Sequence, residues 1–224
     1  VLQEVTYGQL QTLSLEIAHS IKELGYKVGD AIAIDMPMTC EAIALYLGAI
    51  LAGFQVVTIA DSFAPEEIKV RLDIANAQLV FTQDVIHRAG KTLPLYEKIK
   101  KAGSYRCVVI PQGSSPKLAI NDLLWSDFIC ESQAVDIHYA DPEETITILF
   151  SSGTTGSPKA IPWNHTTPVK SASDGFYHHN IQAGDTVCWP TNLGWMMGPW
   201  LVFASLINNG TCLLYTSPSP RDGL

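Results

Sequence analysis

Residues 42–60, AIALYLGAILAGFQVVTIA, form a run of nineteen in which only Gln55 and Thr58 are clearly polar. This stretch restricts the fold more than any other in the chain. Its length approaches the ~20 apolar residues with which a helix spans a bilayer. Its interior argues against a span. Gly53 falls where a helix would end, and Val56, Val57, Thr58 and Ile59 are mostly β-branched, so the run divides into an apolar helix and a buried strand. Glu41 and Asp61 bracket the run, and neither flank carries the Lys/Arg cluster that would orient a span. The run therefore belongs to a soluble core.

The surrounding pattern repeats this alternation. Leu10, Leu13, Ile17, Ile21 and Leu24 recur at helical spacing, and Gly25 stands at the C-cap position. A turn at Gly29-Asp30 leads to a strand over 31–34. Thr39 caps a helix reaching about Leu51, and 56–59 returns as a strand. Asp61 or Ser62 is placed to cap the next helix, with Pro65 in its first turn. Further strands are predicted over 79–82 and 107–110, with a helix over 93–102 between them. Residues 111–116 form a turn or linker. Ser126-Asp127-Phe128 begins a short helix, and 145–150 is a buried strand. Asn164 or Thr166 caps a helix with Pro168 in its first turn. Strands and helices alternating at this length predict an α/β fold with doubly wound, mostly parallel sheets.

A weak echo runs through the chain. Gly29-Asp30 precedes a strand, a helix, Gly53 and a second strand. Gly184-Asp185 precedes a strand over 186–189, a helix over about 199–207, Gly210 and another strand. Two related βαβ units, each in its own sheet, would give this pattern, and so would the Gly-Asp turns common to βαβ units in general.

Composition removes several functional classes. Hydrophobic residues make up 47% and charged residues 16%, too apolar and too lightly charged for a disordered chain. The net charge of −8 disfavours a nucleic-acid binder, so attraction for an anionic ligand must be local. Cys40, Cys107, Cys130, Cys188 and Cys212 contain no CxxC pair, which disfavours a disulfide framework and a zinc site. His178-His179 has no third ligand at metal spacing. No signal peptide is evident, and the chain opens without Met.

The predicted strand over 145–150 delivers the chain into Ser151-Ser152-Gly153-Thr154-Thr155-Gly156-Ser157-Pro158-Lys159. The glycines free the backbone to approach a ligand, successive N–H groups can form an anion nest, and Lys159 adds a mobile point charge. Beyond Lys159 the remaining cations of the chain are Lys170 and Arg221, so the loop could concentrate positive potential in an acidic protein. The Walker A spacing is not met, because Ser157 and Pro158 separate Gly156 from Lys159 and Ala160 follows. A Gly/Ser/Thr-rich surface turn would have the same composition. His165 follows the loop closely enough to approach a ligand, but with no partner visible in the sequence a helix-start or surface position is the better reading. For Trp163, Trp189, Trp195 and Trp200 core packing is the default, with Trp195 the best functional candidate.

The segment from Phe150 to Lys159 closely resembles the phosphate loop of adenylate-forming acyl-CoA synthetases and ligases, departing at Ala160, where Gly is usual. Pro190 to Pro199, PTNLGWMMGP, resembles the D-x-G-W-x-x-G stretch of the acetyl-CoA-synthetase-like branch. The wording of 161–178 and 188–195 is most similar to plant peroxisomal acyl-activating enzymes. The resemblance covers about residues 1–213. It implies a partial large N-terminal domain, with a first α/β subdomain over 1–140 and the start of a second over 141–215. The tail, 216–224, does not continue the family pattern and is read as a truncated or chimeric reading frame.

The resemblance also implies a two-step ligase. A carboxylic acid is activated by ATP as acyl-AMP and then passed to CoA. Ser151, Ser152, Gly153, Thr154, Thr155, Gly156 and Lys159 would hold the ATP phosphates. Trp195, Met196, Met197 and Gly198 would line the acyl pocket, with two Met giving an adaptable wall for an acid larger than acetate. The family's Mg²⁺-binding Glu, ribose-binding Asp and adenylation Lys are not found, so this chain alone is expected to be inactive. Its partners would be a small carboxylic acid, ATP and CoA, and its location peroxisomal or cytoplasmic. The alternative is a non-catalytic nucleotide- or phosphate-binding module.

Overall fold

The computed structural model describes residues 3–88, 90–113, 116–131, 136–153 and 156–214. Helix α1 (Tyr7–Glu23) opens on a capping box in which Thr6 Oγ1 accepts Gln9 N–H at 3.2 Å and Gln9 Oε1 accepts Thr6 N–H at 2.9 Å. Strand β1 (Ala31–Asp35) follows, then α2 (Cys40–Leu51), capped by Thr39, and β2 (Gln55–Ile59). The apolar run divides as its residues require: Gly53, at φ +87°, turns the chain from α2 into β2. No helix among the described residues is long and apolar enough to cross a membrane.

Helix α3 (Pro65–Ala75) has Pro65 in its first turn, but neither Asp61 nor Ser62 caps it. Ala64 takes the N-cap position and Glu67 Oε2 accepts its N–H at 3.1 Å. Asp61 is engaged elsewhere, its Oδ2 2.5 Å from Arg88 Nη2 in a buried ion pair. After β3 (Leu79–Gln83) comes a hairpin that sequence reading missed, β4 (Val85–Arg88) and β5 (Lys91–Pro94). Leu93 belongs to β5, so α4 (Leu95–Ala102) starts two residues later than its spacing predicts. Next come β6 (Cys107–Ile110), β7 (Leu123–Leu124), α5 (Trp125–Phe128) and β8 (Thr145–Ser151). Strand β9 (Lys159–Asn164) leads to α6 (Thr166–His179), whose first N–H is accepted by Asn164 Oδ1 at 3.1 Å. The described chain closes with β10 (Thr186–Cys188), α7 (Met197–Ile207) and β11 (Thr211–Leu213).

Seven strands form one sheet in the order β7-β6-β3-β1-β2-β8-β9, every pairing parallel except β8 with β9. The chain runs outward from β1 to β2, then returns to β1's other side for β3, so the sheet is doubly wound. One face packs α1, α2 and α7 through Ile17, Tyr46, Leu45 and Phe203, and the other packs α3 and α4 through Ile68, Leu72 and Ile99. Tyr46 on α2 shares a buried 2.6 Å hydrogen bond with Thr147 on β8. The sheet therefore crosses the 140/141 division, because β8 pairs with β2.

The echo has a structural counterpart. Strands β10 and β11 pair in parallel in a sheet of their own. Gly29 N–H donates to Gly53 O at 2.8 Å, and Gly184 N–H donates to Asn209 O at 3.0 Å. Asp30 Oδ2 accepts Lys27 N–H, and Asp185 Oδ2 accepts Gln182 N–H, both at 2.8 Å. By these bonds the partner of Gly53 is Asn209, also at positive φ, and not Gly210.

Candidate functional site

The parallel strands point their C-terminal ends toward one edge of the sheet, the place where open α/β sheets take ligands. Strand β8 delivers Ser151 there. Ser151 pairs with Lys159 at the start of β9, so β8 and β9 form an antiparallel hairpin whose described tip residues are 152–153 and 156–158. Gly153 lies at φ +61°, and a Cβ on it would stand 2.0 Å from Ser157 O; Gly156 lies at φ +88°. Both positions require glycine, as an anion nest does. Ser152 and Lys159 are exposed, and Ser151 is half-buried. Thr154 and Thr155 lie outside the described residues, as does the 216–224 tail.

Residues 190–198 fold back over the same edge. Asn192 is buried; its Nδ2 donates to Met36 O beyond β1 at 3.2 Å, and its Oδ1 accepts Gly194 N–H at 2.8 Å. Gly194 lies against the end of β2, where a Cβ would stand 2.2 Å from Ala60 N. Gly198 is equally confined, its Cβ position 2.3 Å from Asn192 O. This double anchoring presents Trp195 and Met196 to solvent, 48% and 57% exposed, with Met197 half-buried and Gly198 buried behind them. Exposure of Trp195, and of Trp189 at 44%, departs from the core-packing default for tryptophan. Trp195 rides on the anchored turn, and Trp189 follows the short strand β10.

The two halves are joined from below by residues that sequence reading missed. The Trp195 ring meets Phe63 edge-on, centroids 5.5 Å apart. The Arg71 guanidinium lies 4.0 Å from the Phe63 centroid and 5.8 Å from that of Phe150, which immediately precedes Ser151. Burial lowers the pKa of Arg71 from its usual value. A cation on an amphipathic helix reads as a solvated face, so the only sequence signal was its position beside Ile68 and Leu72 on the buried side of α3.

His165 is not part of this edge. Strand β9 runs antiparallel to β8 and carries the chain from Lys159, opposite Ser151, to Asn164, opposite Thr145. At ~3.4 Å per residue, His165 stands about 20 Å along the sheet from the loop. It helps line a groove with Pro142, Val169 and Ser173 instead.

Deeper at the same edge lies Asp35, the last residue of β1. It is wholly buried, neither carboxylate oxygen has a hydrogen-bond partner among the described residues, and burial pushes its pKa up to about 7. Asp61 adds to the rise, and Lys98 on α4 opposes it. Lys98 Nζ donates to the carbonyls of Asp61 and Phe63. No group of three or more His, Cys, Asp and Glu side chains among the described residues is placed to hold a metal ion.

The sequence profile of the AMP-binding enzymes matches residues 2–224, and the chain belongs to that family. Among its relatives, the probable peroxisomal acyl-activating enzyme 17 of Arabidopsis thaliana is 49% identical over 211 residues, covering 91% of this chain and 29% of the relative. The hexanoyl-CoA synthase of Cannabis sativa is 46% identical over 226 residues, covering 96% of this chain and 31% of the relative. The chain thus spans about a third of the length of the curated relatives it matches. The solved acetoacetyl-CoA synthetase of Streptomyces lividans superposes with a TM-score of 0.87 at 24% identity, over 96% of this chain and 34% of that one, and so shares the fold.

Proposed function

We propose that this chain supplies the phosphate loop and one acyl-pocket wall of an ATP-dependent carboxylate–CoA ligase. The observation that carries the reading is the meeting of two glycine-dependent segments at one sheet edge: the Ser151–Lys159 hairpin tip and the anchored turn bearing Trp195 and Met196. In the first step a carboxylate oxygen attacks the α-phosphorus of ATP, the bond to the bridging oxygen breaks, and pyrophosphate leaves as acyl-AMP forms. In the second the thiolate of CoA attacks the acyl carbon and AMP leaves.

The work of these residues is positioning and charge stabilisation. Ser151, Ser152, Thr154 and Thr155 offer hydroxyls, and Gly153 and Gly156 let the backbone N–H groups turn toward the phosphates. Lys159, exposed at the mouth of the hairpin, supplies the local positive charge that the net −8 of the chain does not. Trp195, Met196, Met197 and Gly198 bound the acyl group; similarity to the hexanoyl-CoA synthase of Cannabis sativa supports a straight-chain acid longer than acetate. Mg²⁺, which ATP brings to such reactions, has no step assigned to it here. A peroxisomal location fits the probable peroxisomal acyl-activating enzymes of Arabidopsis thaliana among the relatives.

The test is acid-dependent exchange of labelled pyrophosphate into ATP by a polypeptide extended to the relatives' full length. Exchange supports the ligase. ATP binding without exchange would leave only a nucleotide-binding module. Lys159→Ala removes a charge-assisted contact worth about 1.5–3 kcal/mol, so titration calorimetry should show ATP bound about 10- to 100-fold more weakly. Unchanged affinity would remove Lys159 from the phosphate site.

A further inference from the structure

We infer that Arg71 is a positioning residue, its guanidinium clamping the root of the phosphate loop to the wall that carries Trp195. This rests on the reading above, in which loop and wall are halves of one site.

An unbroken stack runs Phe150–Arg71–Phe63–Trp195, and its ends belong to the two halves. Phe150 is the residue through which β8 enters the loop. Phe63 lies between β2 and α3, and the Trp195 ring stands edge-on to it, at 73°. The guanidinium meets the loop root directly at the Phe150 ring and reaches the wall through Phe63, on which Trp195 rests.

The energetics single out Arg71. It is only 7% exposed, yet no carboxylate pairs with it among the described residues. Nη1 donates to the backbone carbonyl of Glu67 at 2.8 Å, and Nε is buried with no hydrogen-bond partner among the described residues. The Glu67 carboxylate accepts Ala64 N–H and makes no ion-pair contact among the described residues, although its charge opposes part of the desolvation of Arg71. Withdrawing a cation from water without an ion pair is costly. Attraction to two ring faces offsets part of that cost. A slot that needed only volume would be filled more cheaply by Leu or Met, as its neighbours Ile68 and Leu72 illustrate. What a guanidinium adds is simultaneous attraction for rings from two separate segments, with a fixed positive charge next to the loop root. The acyl group and the phosphates must be aligned to within a fraction of an ångström for in-line attack, and a clamp between their two supports serves that alignment.

The test compares Arg71→Met and Arg71→Lys. In the chain itself, labelled with 5-fluorotryptophan, the Trp195 line is assigned by its loss in Trp195→Phe. Arg71→Met is expected to shift or broaden that line and leave the Trp125 line in place. In the full-length polypeptide, Arg71→Met should lower kcat for pyrophosphate exchange at least about tenfold, with KM for ATP changed less than about twofold, and Arg71→Lys should recover part of the loss. An unmoved Trp195 line, or an unchanged kcat, would overturn the clamp. If Arg71→Met fails to fold by circular dichroism, Arg71→Lys decides: an intermediate kcat supports the clamp and a wild-type value rejects it. Absence of exchange in the unaltered polypeptide counts against the ligase reading, and the fluorine spectrum still decides the clamp.

Discussion

Gly194→Ala should lower the stability of the chain by about 3 kcal/mol, read as a fall in the urea midpoint at constant slope. The added Cβ would stand 2.2 Å from Ala60 N, 2.6 Å from Ala60 Cα and 2.6 Å from the Ile59 carbonyl carbon. All of these are backbone atoms of a strand end held in the middle of a sheet, so none can yield as a flexible side chain would. The 190–198 turn must lift instead, which stretches the bonds from Asn192 to Met36 O and to Gly194 N–H. The same variant should expose Trp195 further and red-shift its emission. An unchanged midpoint would mean that the turn is not seated on β2.

Asp35→Asn should act in the opposite direction, stabilising the protein at alkaline pH. The Asp35 carboxyl titrates near 7 in the folded chain, against 3.8 for the free side chain, because burial disfavours its charged form. The folded state therefore holds a proton that the unfolded state has released between those values. Stability falls as pH rises through that window, is unpenalised below it, and carries the full penalty above it. At ~1.36 kcal/mol per unit the penalty reaches up to about 4 kcal/mol at pH 8. Asparagine keeps the shape and cannot ionise, so wild type and variant should agree near pH 4 and diverge toward pH 8. The groups that face Asp35 are Asp61, held by Arg88, and Lys98; neither is altered by the substitution. Parallel denaturation curves for the two proteins across this range would show that the carboxyl is satisfied in the fold.

What could be read beforehand divides along physical lines. The split of 42–60 into α2 and β2 was legible because a glycine at positive φ and a β-branched run mark a boundary that hydropathy alone hides. Strand β9 was not, since an edge strand with Pro162 needs neither alternation nor a full set of backbone donors. The β4–β5 hairpin was lost because Leu93 continued the helical spacing of α4. The loop was visible from its glycines and its lysine, whereas Trp195 and Met196 became candidates only through resemblance to a family. Arg71 and Asp35 could not be found, because a charge acquires a perturbed environment only when elements distant in sequence close around it. His165 stands at the start of α6, as its lack of a sequence partner suggests, and the extended β9 carries it away from the loop.

The place of β8 beside β2 has a consequence for biosynthesis. Residues 60–144 separate the two strands, and most of the sheet on the other side of β1 is made in that interval. At ~5–20 residues per second, β2 waits on the order of 5–15 seconds on the ribosome with its outer edge unpaired. An apolar strand edge left open for so long is a template for pairing with other nascent chains. The edge is covered once β8 pairs with β2, an arrangement the buried Tyr46–Thr147 hydrogen bond accompanies.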